Sequence, residues 1–287
     1  MNNPSFAVIG GSGLYAMPGL SDISEHHIAT PFGDPSDVII IGTLAGARVA
    51  FLPRHGRGHR HLPSEVPYRA NIYALKSLGV KHIVSVSACG SLRENLKPCD
   101  IVVPDQLFDF TKGKREGSFF GGGIAGHVSF AEPFSKSLNT ALLKAVRDAG
   151  GTAHGGGTLV TIEGPRFSTK AESHAFRAWG YDIIGMTASP EAALAREAEI
   201  DFAIMAHVTD YDCWHEEEAA VTVEMVIERL HANLSIAQQA ITNIAPVIAS
   251  LPHESEGFMR SAVMTTARDS MSQQARQKLN LLIGRYL

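Results

Sequence analysis

Short apolar runs alternate with amphipathic stretches along most of this chain. Residues 6–9, 38–41, 48–52, 81–87, 101–103, 158–162, 182–187 and 201–208 are short, rich in Val, Ile and Leu, and bounded by small or polar residues. They predict buried strands. The runs at 38–41 and 48–52, joined through 42–46, predict an antiparallel hairpin. Helical periodicity marks 64–79, with Ile72, Leu75 and Leu78 on one face, Ser64 placed to cap and Gly79 to stop. Residues 133–149 repeat the pattern with Leu138, Ala141, Leu142, Ala145 and Val146, and 169–178 also read as helix. Ser189, Pro190 and Glu191 fit the cap, first position and first turn of another helix. A stripe from Val223 through Ile244 predicts one long helix up to Pro246, and 272–286 predict a last one. Strands and helices alternate from 64 to 246. The expected fold is therefore α/β: a single domain over 1–287, with a mixed, largely parallel sheet flanked by helices. A helical C-terminal segment occupies about 251–287. No internal repeat or linker interrupts it.

In such sheets ligands bind at the carboxyl ends of the strands. Several strand ends here carry chemistry. Gly11-Ser12-Gly13-Leu14-Tyr15-Ala16 matches a dinucleotide pattern, but Pro18-Gly19 prevents the helix that pattern needs. What remains is a glycine-rich turn with free N–H groups and a hydroxyl, suited to a phosphate oxygen. The second hairpin strand ends in Arg54-His55-Gly56-Arg57-Gly58-His59-Arg60-His61. Gly56 and Gly58 oppose the helix that a His55/His59 metal pair would need, so a basic anion-receiving loop is expected, with Arg54 as its fork. Ser87-Ala88, Glu163, Met186-Thr187 and Asp210 close four further strands. The run 201–208 leads directly into Thr209-Asp210-Tyr211-Asp212-Cys213-Trp214. Two carboxylates so placed have split proton affinities, and one can hold a proton near neutrality. Residues 112–126 form a glycine-rich loop with Phe119-Phe120 at its middle, expected as an exposed lid or intersubunit loop.

Composition narrows the function classes. Among 287 residues, 45% are hydrophobic and 19% charged, which fits a compact globular protein. A formal net charge of -4 gives no basis for nucleic-acid binding. No apolar run is long enough for a membrane span, and the N-terminus lacks a signal-like segment. Cys89, Cys99 and Cys213 show no metal spacing, so no metal is expected, and the reducing cytoplasm is the expected location.

Taken in order, Ile9-Gly10-Gly11-Ser12-Gly13-Leu14, Thr30-Pro31-Phe32-Gly33, Arg54-His55-Gly56-Arg57, Ala88-Cys89-Gly90-Ser91-Leu92-Arg93, Thr161-Ile162-Glu163-Gly164-Pro165-Arg166-Phe167, Met186-Thr187 and the hexapeptide at 209–214 resemble the trimeric purine nucleoside phosphorylase family. The match is nearest to the branch acting on S-methyl-5'-thioadenosine. The resemblance implies reversible phosphorolysis to adenine and 5-methylthioribose 1-phosphate, with inorganic phosphate as co-substrate and no cofactor. It implies a homotrimer. It places Ser12, Arg54, His55, Ser87, Ala88 and Thr187 on phosphate, Met186 under the ribose and Phe167 on the purine. It makes Asp210 and Asp212 the catalytic, base-reading pair. His59, Val223 and Val226 fall near the 5'-methylthio group. His127 reaches a neighbouring subunit's site, with Phe119-Phe120 at the interface, and the segment after about 251 helps close the 5' pocket.

Other readings predict different outcomes. A phosphorylase for 6-oxopurine nucleosides or methylthioinosine shares the fold and differs in base preference. A glycosyltransferase that uses Asp210-x-Asp212 as a DxD motif would need a divalent ion. A non-catalytic nucleoside-binding module would release no base.

Overall fold

A computed structural model describes residues 3–11, 13–14, 17–216, 221–263 and 271–287. Within these, eleven strands join in one sheet. At its centre β1 (Phe6–Gly10) lies parallel between β4 (Ala47–Pro53) and β5 (His82–Ser91), and β11 (Asp201–Asp210) runs parallel to β5. Beyond β4 come β3 (Ile39–Leu44) and β2 (Ser21–His26), both in antiparallel ladders. Next to β11 lie β6 (Ile101–Val103) and then β8 (Ala153–Gly155). The sheet forks along β5. Through Ser85 that strand pairs with β1, whereas Gly90 and Ser91 pair with β10 (Ile183–Gly185). β10 leads on to β9 (Thr158–Ile162) and β7 (Gln106–Phe110). Between the two pairings, residues 86–89 have a strand partner only on the β11 edge among the described residues. The mixed, largely parallel single-domain sheet is thus as the sequence predicts.

Side chains alternate between two cores, as a pleat requires. From β1, Ala7 and Ile9 join the core beneath α1 (Tyr68–Ser77) and α4 (Ala188–Glu197). Phe6 and Val8 join the core beneath α2 (Lys136–Asp148) and α6 (Leu234–Ile248). All ten residues of β11 are buried, which explains its unbroken apolar run. A helix α3 (Lys170–Ala178) opens with a capping box between Thr169 and Glu172.

Several boundaries differ from the sequence reading. Strand β5 continues through Ala88 to Ser91, and β11 continues through Asp210, so those candidates sit within strands rather than past them. The hairpin turn contracts to Ala45-Gly46, both at positive φ, which suits the twist of the flanking strands and leaves Gly42 paired with Val49. Helix α1 starts at Tyr68 with Pro67 as its cap and without a side-chain cap from Ser64. A residue before proline, here Val66, resists helical geometry. The stripe after 222 divides at Asn233 into α5 (Val223–Ala232) and α6, and Pro246 lies inside α6. Asn233 spends its side chain on the Cys99 carbonyl at 2.9 Å. Ser189 has the extended backbone of a cap, but its hydroxyl donates to Asp109 at 2.5 Å.

Two parts singled out by resemblance have definite places within their own chain. Phe119 is only 3% exposed and packs edge-on against Phe32, with ring centroids 5.0 Å apart. It belongs to the core of its own chain, where packing against Phe32 and Tyr73 already removes its ring from water. The C-terminal segment, which ends in α7 (Gln273–Ile283) and a short 3-10 turn, fastens at the start of β11. Asp201 accepts from the N–H groups of Glu254 and Ser255, while Glu199 accepts from Met259 N–H and pairs with Arg285 and Tyr286. Asp210 lies nine residues further along, about 30 Å for an extended strand. The described part of this segment therefore closes the opposite pole of the sheet and not the 5' pocket of its own chain.

His207 on β11 is buried, and neither ring nitrogen has a hydrogen-bond partner among the described residues. Burial lowers its pKa from 6.5 to about 4. The unfolded chain then binds more protons across that window, so stability falls as pH drops from 6.5 towards 4. His207→Leu is expected to flatten this fall in urea titrations across the same pH range. An unchanged slope would show that the imidazole is solvated or paired.

Candidate active site

At the fork β11 runs parallel to β5, while β10 runs antiparallel to it, so that Ile183 lies beside Ser91 and the exit of β10 at Gly185 comes beside Ala88. A register shift between Val208 and Asp210 brings Asp210 opposite Gly90 of β5, and bulges of this kind re-aim side chains beside sites. A Cβ on Gly90 would lie 2.8 Å from Asp210 Oδ1 and 3.0 Å from Ile184, so only glycine admits the carboxylate there. Asp210 is 7% exposed. Its Oδ1 accepts from the Asp212 N–H at 2.8 Å. Its Oδ2 lies 2.7 Å from the Thr209 hydroxyl, which is also 3.2 Å from the Cys89 carbonyl. That hydroxyl can donate to an ionised Asp210. It can equally accept from a protonated one while turning its own hydrogen to Cys89. Burial, with the charge of Asp212 adding to it, pushes the Asp210 carboxyl up to about 6.

Asp212 is also buried, at positive φ, and burial raises its pKa too. The Ser168 and Ser173 hydroxyls oppose that rise. Both are buried and neither forms a well-aligned hydrogen bond among the described residues, which leaves them free to follow the carboxylate. Trp214 fixes the turn by donating to the Ser91 carbonyl at 2.7 Å beneath the Arg177 guanidinium. Phe167, 37% exposed, offers an aromatic face just past β9.

The anion side differs from a basic loop. Arg54 is buried, and its fork is closed on Glu191: Nε to Oε1 at 2.8 Å and Nη2 to Oε2 at 2.9 Å. Further bonds reach Ser85 Oγ at 2.5 Å and the Val86 carbonyl at 3.0 Å. Arg54 is thus a neutralised pillar under the rim rather than an open fork, because a buried guanidinium needs a counter-charge. His55 donates from Nδ1 to the His61 carbonyl at 2.9 Å, and burial beside Arg54 lowers its pKa to about 4, so it is neutral at pH 7. Ser87 and Ala88 fall in the stretch of β5 that, among the described residues, has a strand partner only in β11. Thr187 is buried at the start of α4, and its hydroxyl makes no capping bond. Ser12 lies outside the described residues. Among the described residues, these candidates contribute the Ser87 and Thr187 hydroxyls and backbone N–H groups, and the charge of Arg54 beside them is already paired.

At the third corner, His59 stacks on His55 with centroids 4.2 Å apart. Helix α5 packs on β11, and the charge of Arg229 on it is felt at Asp210. None of the α5 residues is buried: Val223 is 58% exposed, whereas Val226 is half-buried. His127 is not brought to this site. Its N–H donates to the Ala262 carbonyl at 2.8 Å, in the segment fastened at the opposite pole. Sequence reasoning missed Glu191 as the partner of Arg54, having read it only as a first-turn acid. An acidic residue facing a buried arginine from 137 positions away leaves no local signal.

The phosphorylase superfamily model matches residues 5–247. This chain belongs to that superfamily. The S-methyl-5'-thioadenosine phosphorylase of Chloroflexus aurantiacus is 53% identical over 287 residues, covering 100% of this chain and 99% of the relative. That of Gloeobacter violaceus is 52% identical over 285 residues, covering 97% and 95%. A methylthioadenosine phosphorylase structure from an antarctic soil metagenomic library superposes with TM-score 0.93 at 49% identity, covering 98% of this chain and 99% of that one. The Schistosoma mansoni methylthioadenosine phosphorylase, solved with adenine, gives TM-score 0.84 at 36% identity, covering 90% and 98%. These similarities extend over the fork and over Asp210, which lie inside the matched residues.

Holding Asp210 above its ordinary pKa of 3.8 means that the folded state binds more protons between 3.8 and about 6. Stability is therefore lost as pH rises through that window and stays lower above it. Asp210→Asn is expected to stabilise the protein at pH 7.5 by up to about 3 kcal/mol, and by much less at pH 4. Denaturant melts at the two pH values check this. Equal effects at both would contradict it.

Proposed function

We propose that this protein catalyses the reversible phosphorolysis of S-methyl-5'-thioadenosine, a pentosyl transfer that yields adenine and 5-methylthioribose 1-phosphate. The observation that carries the reading is the buried Asp210–Asp212 pair at the end of β11, with Asp210 pushed up to about 6. The names of relatives aligned over the whole chain support it. Phosphate sits among the hydroxyls and N–H groups of Ser12, Ser87, Ala88 and Thr187. His55 borders it, and Arg54 supports the floor from below. A phosphate oxygen attacks C1' as the bond to N9 breaks. The sugar, over Met186, becomes oxocarbenium-like, and the bonding electrons pass to the purine. Asp210 gives its proton to N7, which neutralises the leaving base. Asp212 accepts from the 6-amino group, and Phe167 packs on the ring. A 6-oxo base would present an acceptor to that carboxylate, which disfavours inosine-type substrates.

The remaining assignments rest on resemblance. Val223, Val226 and His59 enclose the 5'-methylthio group. The enzyme works as a cytoplasmic homotrimer, with inorganic phosphate as co-substrate and no cofactor, and His127 completes a neighbour's site. Its attachment at the pole opposite Asp210 fits a role outside its own site.

Adenine release from methylthioadenosine should depend on added phosphate and persist after chelation of divalent ions. No release would overturn the reading. Asp210→Ala should reduce turnover by roughly 10²-fold or more. Asp212→Asn should shift preference towards 6-oxopurines, since an amide can donate to O6. An unchanged adenine-to-hypoxanthine preference would contradict the assignment of Asp212.

A further inference from the structure

The loop at 112–126 sends one side chain into the heart of the site. Arg115 is 2% exposed at its side chain. Its Nε donates to Glu163 Oε1 at 3.0 Å, and Nη2 to the Glu163 carbonyl at 2.7 Å. Its Nη1 donates to the Met186 carbonyl at 2.7 Å and the Ser189 carbonyl at 2.6 Å. The ring face and hydroxyl of Tyr68 lie beside the same group. One planar guanidinium therefore joins the end of β9, the exit of β10 and the first turn of α4. Among the described residues no ladder connects these three beyond Gly185.

The bonded carbonyls lie on either side of Thr187. Met186 and Ser189 are both held, and the uncapped Thr187 hydroxyl stands between them. Two further ties reach the same region, one from the loop and one from the end of β7. Lys112 N–H donates to Glu163 Oε2 at 2.7 Å, and Asp109 accepts from the Ser189 hydroxyl at 2.5 Å. Lysine could not replace this grip, since an ammonium lacks the flat fork that reaches several carbonyls in one plane.

We infer that Arg115 is a positioning residue for the phosphate and ribose side of the reaction. It sets Met186 and Thr187 relative to each other without touching substrate. The base-reading carboxylates Asp210 and Asp212 stand at the end of β11 beside β5 and make no hydrogen bond to Arg115; only Phe167, four residues past Glu163, shares the segment it holds. This inference presupposes the phosphorolysis proposed above. A displacement of about 1 Å at a reacting group costs on the order of 10²-fold in rate.

Arg115→Lys is the test, with Arg115→Ala in millimolar guanidinium as a second variant should the lysine form fold poorly. Three readouts are taken: the KM for phosphate, kcat with methylthioadenosine, and the affinity for adenine alone. The inference predicts a rise of about tenfold or more in phosphate KM and a fall of similar size in kcat. Adenine affinity should stay within about twofold, and guanidinium should restore part of the alanine variant's kcat. Wild-type phosphate KM and kcat in either variant would overturn the inference while leaving phosphorolysis intact. Equal losses at phosphate and adenine would also overturn it, since they mark general unfolding. A wild-type enzyme that releases no adenine would overturn both claims.

Discussion

Burying the Asp210 carboxylate is the constraint around which the site is arranged. A carboxylate out of water must gain hydrogen bonds or give up its charge. Here it does some of each. The Asp212 N–H and the Thr209 hydroxyl hold it, yet its pKa still stands at about 6. The neighbouring strands make room for it. Gly90 leaves out a side chain that would strike Oδ1, and the register shift after Val208 points the carboxylate at that gap. The fork of the sheet follows the same geometry, because β10 replaces β1 beside β5 at Gly90.

The anion side solves a different problem. In the proposed reading phosphate brings negative charge close to two carboxylates, yet the nearby cation Arg54 is already neutralised. Arg54 is locked on Glu191, and His55 is kept uncharged by burial and by Arg54. On the proposed reading polarised N–H and hydroxyl donors therefore carry the work, as they do at helix N-termini and backbone nests. This arrangement fixes positions well. Breaking one member of the buried Arg54–Glu191 pair would expose the other to an unpaired burial costing about 3–5 kcal/mol.

The sheet and its order of elements were legible because β-strands buried on both faces read as apolar runs, and β11 is the clearest case. β2 and β7 were not, since they are exposed and polar in part, so nothing in their pattern separates them from loops. The candidate residues were legible through motifs, and the fold sets Ser87 and Ala88 within β5, Asp210 at the end of the adjacent β11 and Thr187 just past β10. What stayed hidden depended on distant pairing. Arg54 read as an open fork because Glu191 lies far along the chain. Phe119 read as interface because its glycine-rich surroundings gave no hint of Phe32. The anchoring of the C-terminal segment on Glu199 and Asp201 is likewise a matter of tertiary contact.

The account rests on Asp210 holding a proton close to neutrality. Its carboxyl can be followed directly by carbon NMR of protein labelled at aspartate side chains, with Asp210→Asn assigning the resonance. The account predicts titration near pH 6 in the free enzyme, well above the ordinary aspartate value of 3.8. Titration at that ordinary value would contradict it, because Asp210 would then be fully ionised at neutral pH and unable to protonate the leaving purine.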